Sequence, residues 1–186
     1  NSSEEDDSEN FWATIAIKSL LIFKQLVMLN KKGETILLKS SITKEDSQKA
    51  IEKLNTFLTD NLIISLTELI INWYLKLRPA ALENWNGNPE EFINEELLES
   101  WEYQIRPCSE NFFQTLITSY KELLVPFTLN KITEINGKIE NAGQDLQLIL
   151  LKDSIFAIIQ LSGVAIADII DFDMFSFTSI SFFNSC

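Results

Sequence analysis

The sequence contains no histidine, and this absence excludes several kinds of chemistry. Ser-His-Asp and Cys-His catalysis both require His, as does every metal site with a His ligand. The two cysteines, Cys108 and Cys186, lie far apart and form no Cys-x-x-Cys pair, which is typical of a reduced, intracellular protein. Gly-x-Gly-x-x-Gly motifs, phosphate-binding loops and Asp-rich calcium loops are also missing. We therefore predict a protein that is not an enzyme and that has no cofactor and no metal site.

Carboxylates are the one abundant group that could perform acid-base chemistry. A catalytic acid needs a cleft that raises its pKa, and the sequence offers no partner base, nucleophile or metal-ligand spacing beside its Glu pairs. Such Glu residues are usually solvated on exposed helix faces. An enzyme-associated helical domain remains a third interpretation, and turnover abolished by changing Glu90 or Glu91 would support it.

Glycine and proline are scarce, with 5 and 4 residues in a chain of 186. Few turn-forming residues imply few turns and therefore long elements. Hydrophobic residues make up 46% of the chain, which is enough for a sizeable core. Leu, Ile, Glu, Lys and Gln dominate the long segments and favour helix over strand. We predict an all-α fold.

Positive charge is also in short supply, since 15 basic residues face 27 acidic ones and the net charge is −12. This average field repels a phosphate backbone, so we predict no direct binding of nucleic acid. The acidic charge by itself is explained better by a surface that keeps the protein soluble than by a surface that binds a partner. A basic protein partner is the second interpretation.

Long uncharged stretches are missing as well. The longest, 154–167 and 174–186, fall short of the roughly 18 residues expected of a membrane-spanning helix. We therefore predict buried helices and no membrane insertion. The sequence has no initiator Met and no secretory leader, and it ends in apolar residues, so we expect it to come from a longer protein.

The first half of the chain is predicted to contain three helices after an acidic, flexible segment at residues 1–9. An apolar stripe indicates a helix over 11–30, which Lys31-Lys32-Gly33 would close. Thr43 is a candidate N-cap for the next helix, with acidic residues in its first turn. The apolar pattern then continues through Leu69, Ile70 and Trp73. Asp60 and Asn61 could cap a new helix or lie inside a kinked one, and we favour two helices with a break near residues 59–61.

The second half begins with a long connection at about 78–107. Arg106 precedes a proline and is predicted to be extended, while Pro107 suits the first turn of the following helix. Pro126 is predicted to break that helix, and Gly137 to cap the next one. Asp145 would lead a strongly apolar helix, in which Gly163 marks a close approach or an end, before a boundary at 171–173.

Aromatic residues interrupt the polar connection at Trp85, Phe92, Trp101 and Tyr103. An ordered loop of this length needs anchors, and aromatic side chains bury large areas. We favour this anchoring role. A docking surface for a partner peptide is the alternative.

The same connection carries a recognisable motif. Trp85-Asn86-Gly87-Asn88-Pro89-Glu90-Glu91-Phe92 is followed by Trp101 and then by Arg106-Pro107-Cys108. This pattern resembles the importin-β (karyopherin-β) superfamily, especially its importin eleven branch and fungal relatives. The resemblance covers mainly 82–120, and more loosely 152–175. Asn88 stands where the family commonly has Asp, and either residue can cap the helix that Pro89 opens.

The resemblance implies a fold and a function. The fold would consist of HEAT-type antiparallel helical hairpins over residues 10–186, forming part of an α-solenoid, and helices recurring in pairs over roughly 40–50 residues fit this. The function would be nuclear transport of protein cargo, including basic cargo, with Ran-GTP and phenylalanine-glycine nucleoporins as further partners and with passage between cytoplasm and nucleus. The motif residues are interpreted as structural, and contacts with cargo, Ran and nucleoporins are not assigned. A HEAT-repeat scaffold that acts without Ran is the alternative function.

Overall fold

Every regular element in the described part of the chain is a helix, which confirms the predicted all-α class. The computed structural model describes residues 2–37, 43–77, 82–83, 86–90, 102–140 and 146–169. The helices are α1 (Ser2–Leu37), α2 (Lys44–Phe57), α3 (Asp60–Leu69) with a π-helical turn at Ile70–Tyr74, α4 (Ile105–Ser119), α5 (Lys121–Glu140) and α6 (Leu146–Ile169).

Side-chain caps define the starts of α2 and α3. The backbone of Thr43 is extended, and its hydroxyl accepts a hydrogen bond from the amide of Asp46 at 3.2 Å. Thr59 caps α3 in the same way by accepting from the amide of Leu62 at 3.3 Å. Each cap satisfies one of the amides that a helix start leaves without an internal partner. The predicted cap and the predicted break are both confirmed, and the two helices meet at a bend of 63°.

Three glycines predicted to end or punctuate helices lie inside them instead. Helix α1 continues past Gly33 to Leu37, α5 contains Gly137, and α6 contains Gly163. A methyl group added at Gly137 or Gly163 would meet no atom within 4 Å, so neither marks a close approach. One glycine costs a helix interior about 1 kcal/mol, which long packed helices tolerate. Helix α1 also includes residues 2–9, whose flexibility stays a prediction.

The helix break expected at Pro126 lies six residues earlier, at Tyr120. This residue leaves helical geometry with φ −129° and ψ 41°, and its carbonyl accepts from the amide of Leu124 at 2.9 Å to start α5. Pro126 lies within α5. Because Pro has no amide proton, the helix loses the hydrogen bond to the carbonyl of Glu122 but continues. The prediction was therefore wrong about the position of the break.

Helices α1 and α4 run parallel, as the order of their contacts shows. The Cys108 thiol of α4 lies 4.0 Å from the carbonyl oxygen of Ile17, while Lys24 donates to Asn111 further along both helices. Near the ends of the two helices, the amide of Asn30 donates to the hydroxyl of Tyr120 at 3.2 Å. These pairs are separated by 91, 87 and 90 residues in the sequence, so one nearly constant offset relates the two helices.

Helix α6 lies parallel to α4 on another side of it. Near their starts, Arg106 pairs with Asp153. Just past the end of α4, Lys121, the first residue of α5, pairs with Asp168 near the end of α6. Both pairs are 47 residues apart. This offset falls within the predicted repeat of 40–50 residues. Helices α1, α4 and α6 therefore form one layer, with α4 in the middle.

The remaining helices form the second layer. Helix α2 packs on α1, α3 packs on α4 and α5, and α5 packs on both α4 and α6. The ammonium of Lys131 on α5 bonds to the carboxylate of Glu68 on α3 at 2.8 Å, which joins neighbouring helices of this layer. Two layers of helical hairpins are the arrangement of a HEAT-type solenoid, as predicted.

The core lies between the layers and includes small hydroxyl side chains among its apolar residues. Phe112, Phe113 and Leu116 of α4 are fully buried. Among the described residues, buried Thr67, Ser109, Ser154 and Ser162 each donate to the carbonyl four residues earlier in their own helix, as at Thr67 (2.8 Å) and Ser154 (3.2 Å). A hydroxyl satisfied in this way can be buried without a partner on another helix. Buried Thr128 is the exception there, because its hydroxyl has no hydrogen-bond partner.

Two described helices are long and apolar enough to cross a membrane, by length and composition only. These stretches are Phe11–Lys31, with a mean hydropathy of 1.5, and Leu150–Ile169, with a mean hydropathy of 1.6. The sequence-based length limit was therefore too strict, because a spanning stretch can include a few charged residues. In the structure, both stretches pack against α4.

Replacing Phe112 by Ala should destabilise the fold by about 3–5 kcal/mol, because the substitution removes a fully buried ring and leaves a cavity. Urea unfolding followed by circular dichroism would measure the change in the free energy of unfolding. The control is Phe156→Ala on α6, where 52% of the side chain is exposed, and it should cost much less. Equal losses in the two variants would contradict the assigned core.

Candidate protein-interaction site

The Asn-Pro-Glu part of the sequence motif lies at the surface as the start of a helix. Asn88 is outside helical geometry, whereas Pro89 and Glu90 are helical, and all three are exposed. This order is the one expected of an N-cap followed by Pro at the first helical position. The capping role of Asn88 itself stays a prediction.

The aromatic part of the motif is only partly described. Trp85, Phe92 and Trp101 lie outside the described residues, as does Glu91, so their roles stay predictions. Tyr103 is described, and 77% of its side chain is exposed. The predicted anchoring role is therefore wrong for Tyr103, which lies in a turn just before α4.

The Arg-Pro-Cys part of the motif forms the first turn of α4. Gln104 is the extended residue before the helix, with φ −112° and ψ 136°, and Arg106 is already helical. The prediction of an extended Arg106 was wrong, because the preference of residues before proline is a bias that the helix start overrides. Pro107 lies in the first turn as predicted, where its missing amide proton leaves no intrahelical bond unmade.

Arg106 joins α4 to α6 through its planar guanidinium group. Its Nε donates to Glu110 Oε1 at 3.1 Å, and its Nη1 lies 2.8 Å from Asp153 Oδ2, which is shielded from solvent. Burial lowers the pKa of Arg106, but the hydrogen bonds and charges of Asp153 and Glu110 outweigh this and raise the pKa. A lysine ammonium could not reproduce this two-sided geometry.

Cys108 faces α1 and is 1% exposed. Burial raises the pKa of its thiol, an effect that the charge of Lys24 partly opposes. A raised pKa keeps the thiol protonated, and the protonated form is a poor nucleophile. Cys108 therefore acts as a packing residue between α1 and α4.

A surface feature that the sequence did not predict lies before the motif. In the π-helical turn, the amide of Leu75 bonds to the carbonyl of Ile70 at 2.9 Å, five residues back. Ile70 and Ile71 are buried, whereas Trp73 is 72% exposed and Leu69 is 41% exposed. The predicted apolar stripe was therefore wrong at Leu69, which precedes the turn, and at Trp73, whose side chain the wider turn rotates relative to an α-helix. Helical periodicity gives no signal for such a turn.

Within the described ranges, no group of three or more His, Cys, Asp or Glu side chains could hold a metal ion. Glu90 lies at the exposed helix start rather than in a cleft. The described part of the segment offers exposed polar residues at 86–90 and an exposed aromatic ring at Tyr103, followed by the start of α4.

Comparison with known proteins identifies similar sequences. The chain is 46% identical over 170 residues to importin beta-like protein KAP120 of Saccharomyces cerevisiae, a match that covers 90% of this chain and 16% of that protein. It is 30% identical over 113 residues to importin-11 of Homo sapiens, covering 59% of this chain and 11% of that protein. No family model matches the chain.

A solved structure is similar as well. The structure of Lph2, a bidirectional nuclear transport receptor in S. cerevisiae, matches with a TM-score of 0.75 and 44% sequence identity. The match covers 88% of this chain and 16% of that chain. The present chain therefore spans about a sixth of the length of this structure and of KAP120.

The Arg106–Asp153 pair should contribute about 1 kcal/mol to the contact between α4 and α6, at the upper end of the range for exposed pairs because it is partly shielded. A double-mutant cycle of Arg106→Ala and Asp153→Ala, measured by urea unfolding, gives this coupling energy. The control cycle uses Lys121 and Asp168, which are 3.5 Å apart and 42% and 54% exposed. The coupling energy of this control pair should be smaller than that of Arg106 and Asp153. A larger coupling energy for the control pair would contradict the prediction.

Proposed function

This chain belongs to the importin-β family, in its importin-11 branch, and from this membership we propose that it forms part of a nuclear transport receptor for protein cargo. The observation that carries the proposal is the 46% identity with KAP120 over 90% of the chain. The 44% identity and TM-score of 0.75 with a nuclear transport receptor support it through the fold.

The proposed mechanism is binding and release, without a chemical step. Each hairpin of a solenoid contacts only the hairpins next to it, so small changes in these contacts add up along the solenoid. Ran-GTP bound to one part of the receptor would alter its curvature and thereby change the affinity for cargo elsewhere. Such a coupling between two sites is reciprocal, so cargo would change the affinity for Ran-GTP by the same factor.

The proposed partners are cargo, Ran-GTP and phenylalanine-glycine nucleoporins, and the proposed location is both cytoplasm and nucleus, with passage through the pore. Insertion into a membrane is not part of the proposal. Helix α6 uses Asp153 in an ion pair with Arg106 of α4 and Asp168 in an ion pair with Lys121 at the start of α5. Lipid around α6 would have to accommodate these charges, whereas a helical array pairs them.

A HEAT-repeat scaffold that assembles protein complexes without Ran is the second candidate function. The same two layers of hairpins would serve it, since the fold alone does not fix the ligand. An enzyme-associated domain has less support, because Glu90 is exposed and Cys108 is buried.

Ran-GTP should bind the complete receptor at least about 10-fold more tightly than Ran-GDP, a difference of about 1.4 kcal/mol. Biolayer interferometry with the two purified nucleotide forms would measure both affinities. The unrelated control is a HEAT-repeat scaffold that is not a transport receptor, tested on the same surface. Equal binding of the two forms, or none, would favour the scaffold function.

Affinity for a basic cargo should fall as salt concentration rises, because the chain carries a net charge of −12 and salt screens exposed charges. The probe is a purified basic ribosomal protein, titrated against the complete receptor at 50 mM and 500 mM salt by fluorescence anisotropy. The expected loss is at least about 10-fold over this range. An acidic protein of similar size serves as control, and an affinity for the basic probe that does not respond to salt would exclude an electrostatic role.

A further inference from the structure

The dipeptide Asn-Gly occurs twice in the sequence, at Asn86–Gly87 and at Asn136–Gly137. An asparagine side chain can react with the backbone nitrogen of the next residue, and glycine hinders this approach least because it has no Cβ. The two pairs lie in different surroundings. Asn86 and Gly87 are exposed, whereas Asn136 and Gly137 are half-buried within α5.

The surroundings of Asn86 leave its reaction with Gly87 unhindered. A methyl group added at Gly87 would meet no atom within 4 Å, so neighbouring side chains do not block the approach. Asn86 and Gly87 are helical, but Asn88 directly after them is not. Helix ends fray, so the backbone of this pair can change conformation without opening a packed helix.

The backbone of the second pair is held in place by the helix around it. Helix α5 runs for 20 residues, and Ile135, directly before Asn136, is 3% exposed. The ammonium of Lys138 lies 2.7 Å from the carboxylate of Glu134, and this ion pair spans the turn that contains Asn136. Space beside Gly137 is as open as beside Gly87, so the backbone and not the space distinguishes the two pairs.

We propose that Asn86 is a site of spontaneous deamidation, which converts this position into an aspartyl or an isoaspartyl residue. Hydroxide removes the proton from the backbone nitrogen of Gly87, and this nitrogen forms a bond to Cγ of Asn86. The bond between Cγ and Nδ2 breaks, and Nδ2 takes up a proton from water and leaves as ammonia. The product is a succinimide ring.

Water then opens the ring in one of two ways. Cleavage between Cγ of residue 86 and the ring nitrogen gives an aspartyl residue with the original backbone. Cleavage between the backbone carbonyl carbon of residue 86 and the same nitrogen gives an isoaspartyl residue, in which the chain continues through the former side chain. Both products add one negative charge directly before the exposed helix start at 88–90.

The isoaspartyl product changes the backbone and creates a group that an enzyme can recognise. The extra carbon in the main chain disturbs the regular spacing on which helical hydrogen bonds depend, so the helical turn through residues 86 and 87 should open. The α-carboxylate is left free on a short branch. Methyltransferases that use S-adenosylmethionine to methylate isoaspartyl carboxylates are therefore the class of partner for the modified site.

Other exposed asparagines of the chain provide internal comparisons. Asn88 is exposed two residues further on, but the nitrogen of Pro89 carries no proton and cannot close the ring in this way. Asn72 is exposed as well, and the large side chain of Trp73 follows it. Exposure alone would make these positions as reactive as Asn86, whereas ring closure favours Asn86.

Incubation of the complete polypeptide in water enriched in heavy oxygen tests the proposal. Tandem mass spectrometry of its peptides follows conversion at each asparagine, at neutral and at mildly alkaline pH. Asn86 should convert at least about 10-fold faster than Asn136, because an interior helical pair reacts only after local opening. Asn72 and Asn88 should convert more slowly than Asn86 as well.

The products and the pH dependence give two further readouts. Each converted Asn86 should carry one oxygen from the solvent, and its rate should rise with pH because hydroxide removes the proton from Gly87. A purified isoaspartyl methyltransferase with labelled S-adenosylmethionine should transfer methyl groups to the incubated protein and not to fresh protein.

A matched pair of variants isolates the role of the glycine. Gly87→Ala should slow conversion at Asn86 by at least about 10-fold, because a Cβ restricts the backbone around the reacting nitrogen. The control is Gly137→Ala, which should leave the rate at Asn86 unchanged. Both positions have room for a methyl group, so both variants should fold, and circular dichroism checks this.

Three outcomes would overturn the proposal. An unchanged rate in Gly87→Ala would show direct hydrolysis of the side chain without a ring. Conversion at Asn88 or Asn136 as fast as at Asn86 would show that the site is not selective. Conversion at Asn86 in a synthetic peptide of residues 82–92 but not in the complete polypeptide would show that the fold protects this pair. None of these results depends on cargo or Ran, so the proposed transport function stands or fails separately.

Discussion

The position of α4 between two parallel helices is the constraint on which the rest of the structure depends. A helix with neighbours on both sides must bury two faces, and its polar groups must be paired at the edges of those faces. Helix α4 does this with a core of Phe112, Phe113 and Leu116 and with polar contacts from Arg106 and Asn111 to its two neighbours. The directions of α1 and α6, and the placement of α5 across the second layer, follow from those contacts.

The sequence offsets between contacting helices show where the regular repeat is interrupted. Helices α4 and α6 contact each other at an offset of 47 residues, whereas α1 and α4 do so at 87–91 residues. The larger offset arises because two described second-layer helices, α2 and α3, together with residues 78–104, lie between α1 and α4, whereas α5 lies between α4 and α6. The parallel direction of the first-layer helices is the same at both offsets.

Capping residues made a helix start in the first half of the chain predictable. The hydrophobic pattern did not predict the direction in which every side chain points around its helix axis. Thr43 was inferred from neighbouring residues because the hydrogen bond of its side chain is local. Thr59 caps α3 in the same way, but the sequence interpretation placed the cap at Asp60 or Asn61 instead. Gly33 and Pro126 were misjudged because packing along a long helix outweighs a local cost of one to a few kcal/mol. Trp73 was misplaced because the π-helical turn has no periodic signature. The partners of Arg106 lie on another helix and could not be inferred from local sequence.

The residues that reveal the family are residues that build the fold. Arg106 and Cys108 hold α4 against α6 and α1, and Asn88 lies at a helix start, so substitution at these positions would disturb the solenoid first. Binding in a solenoid uses surfaces that stacking leaves open, which carry no short motif because they are assembled from several helices. An exposed residue such as Trp73 can therefore matter for binding without contributing to the resemblance. A motif search finds the architecture of such a protein, and its binding surfaces have to be found from exposure and charge in the assembled array.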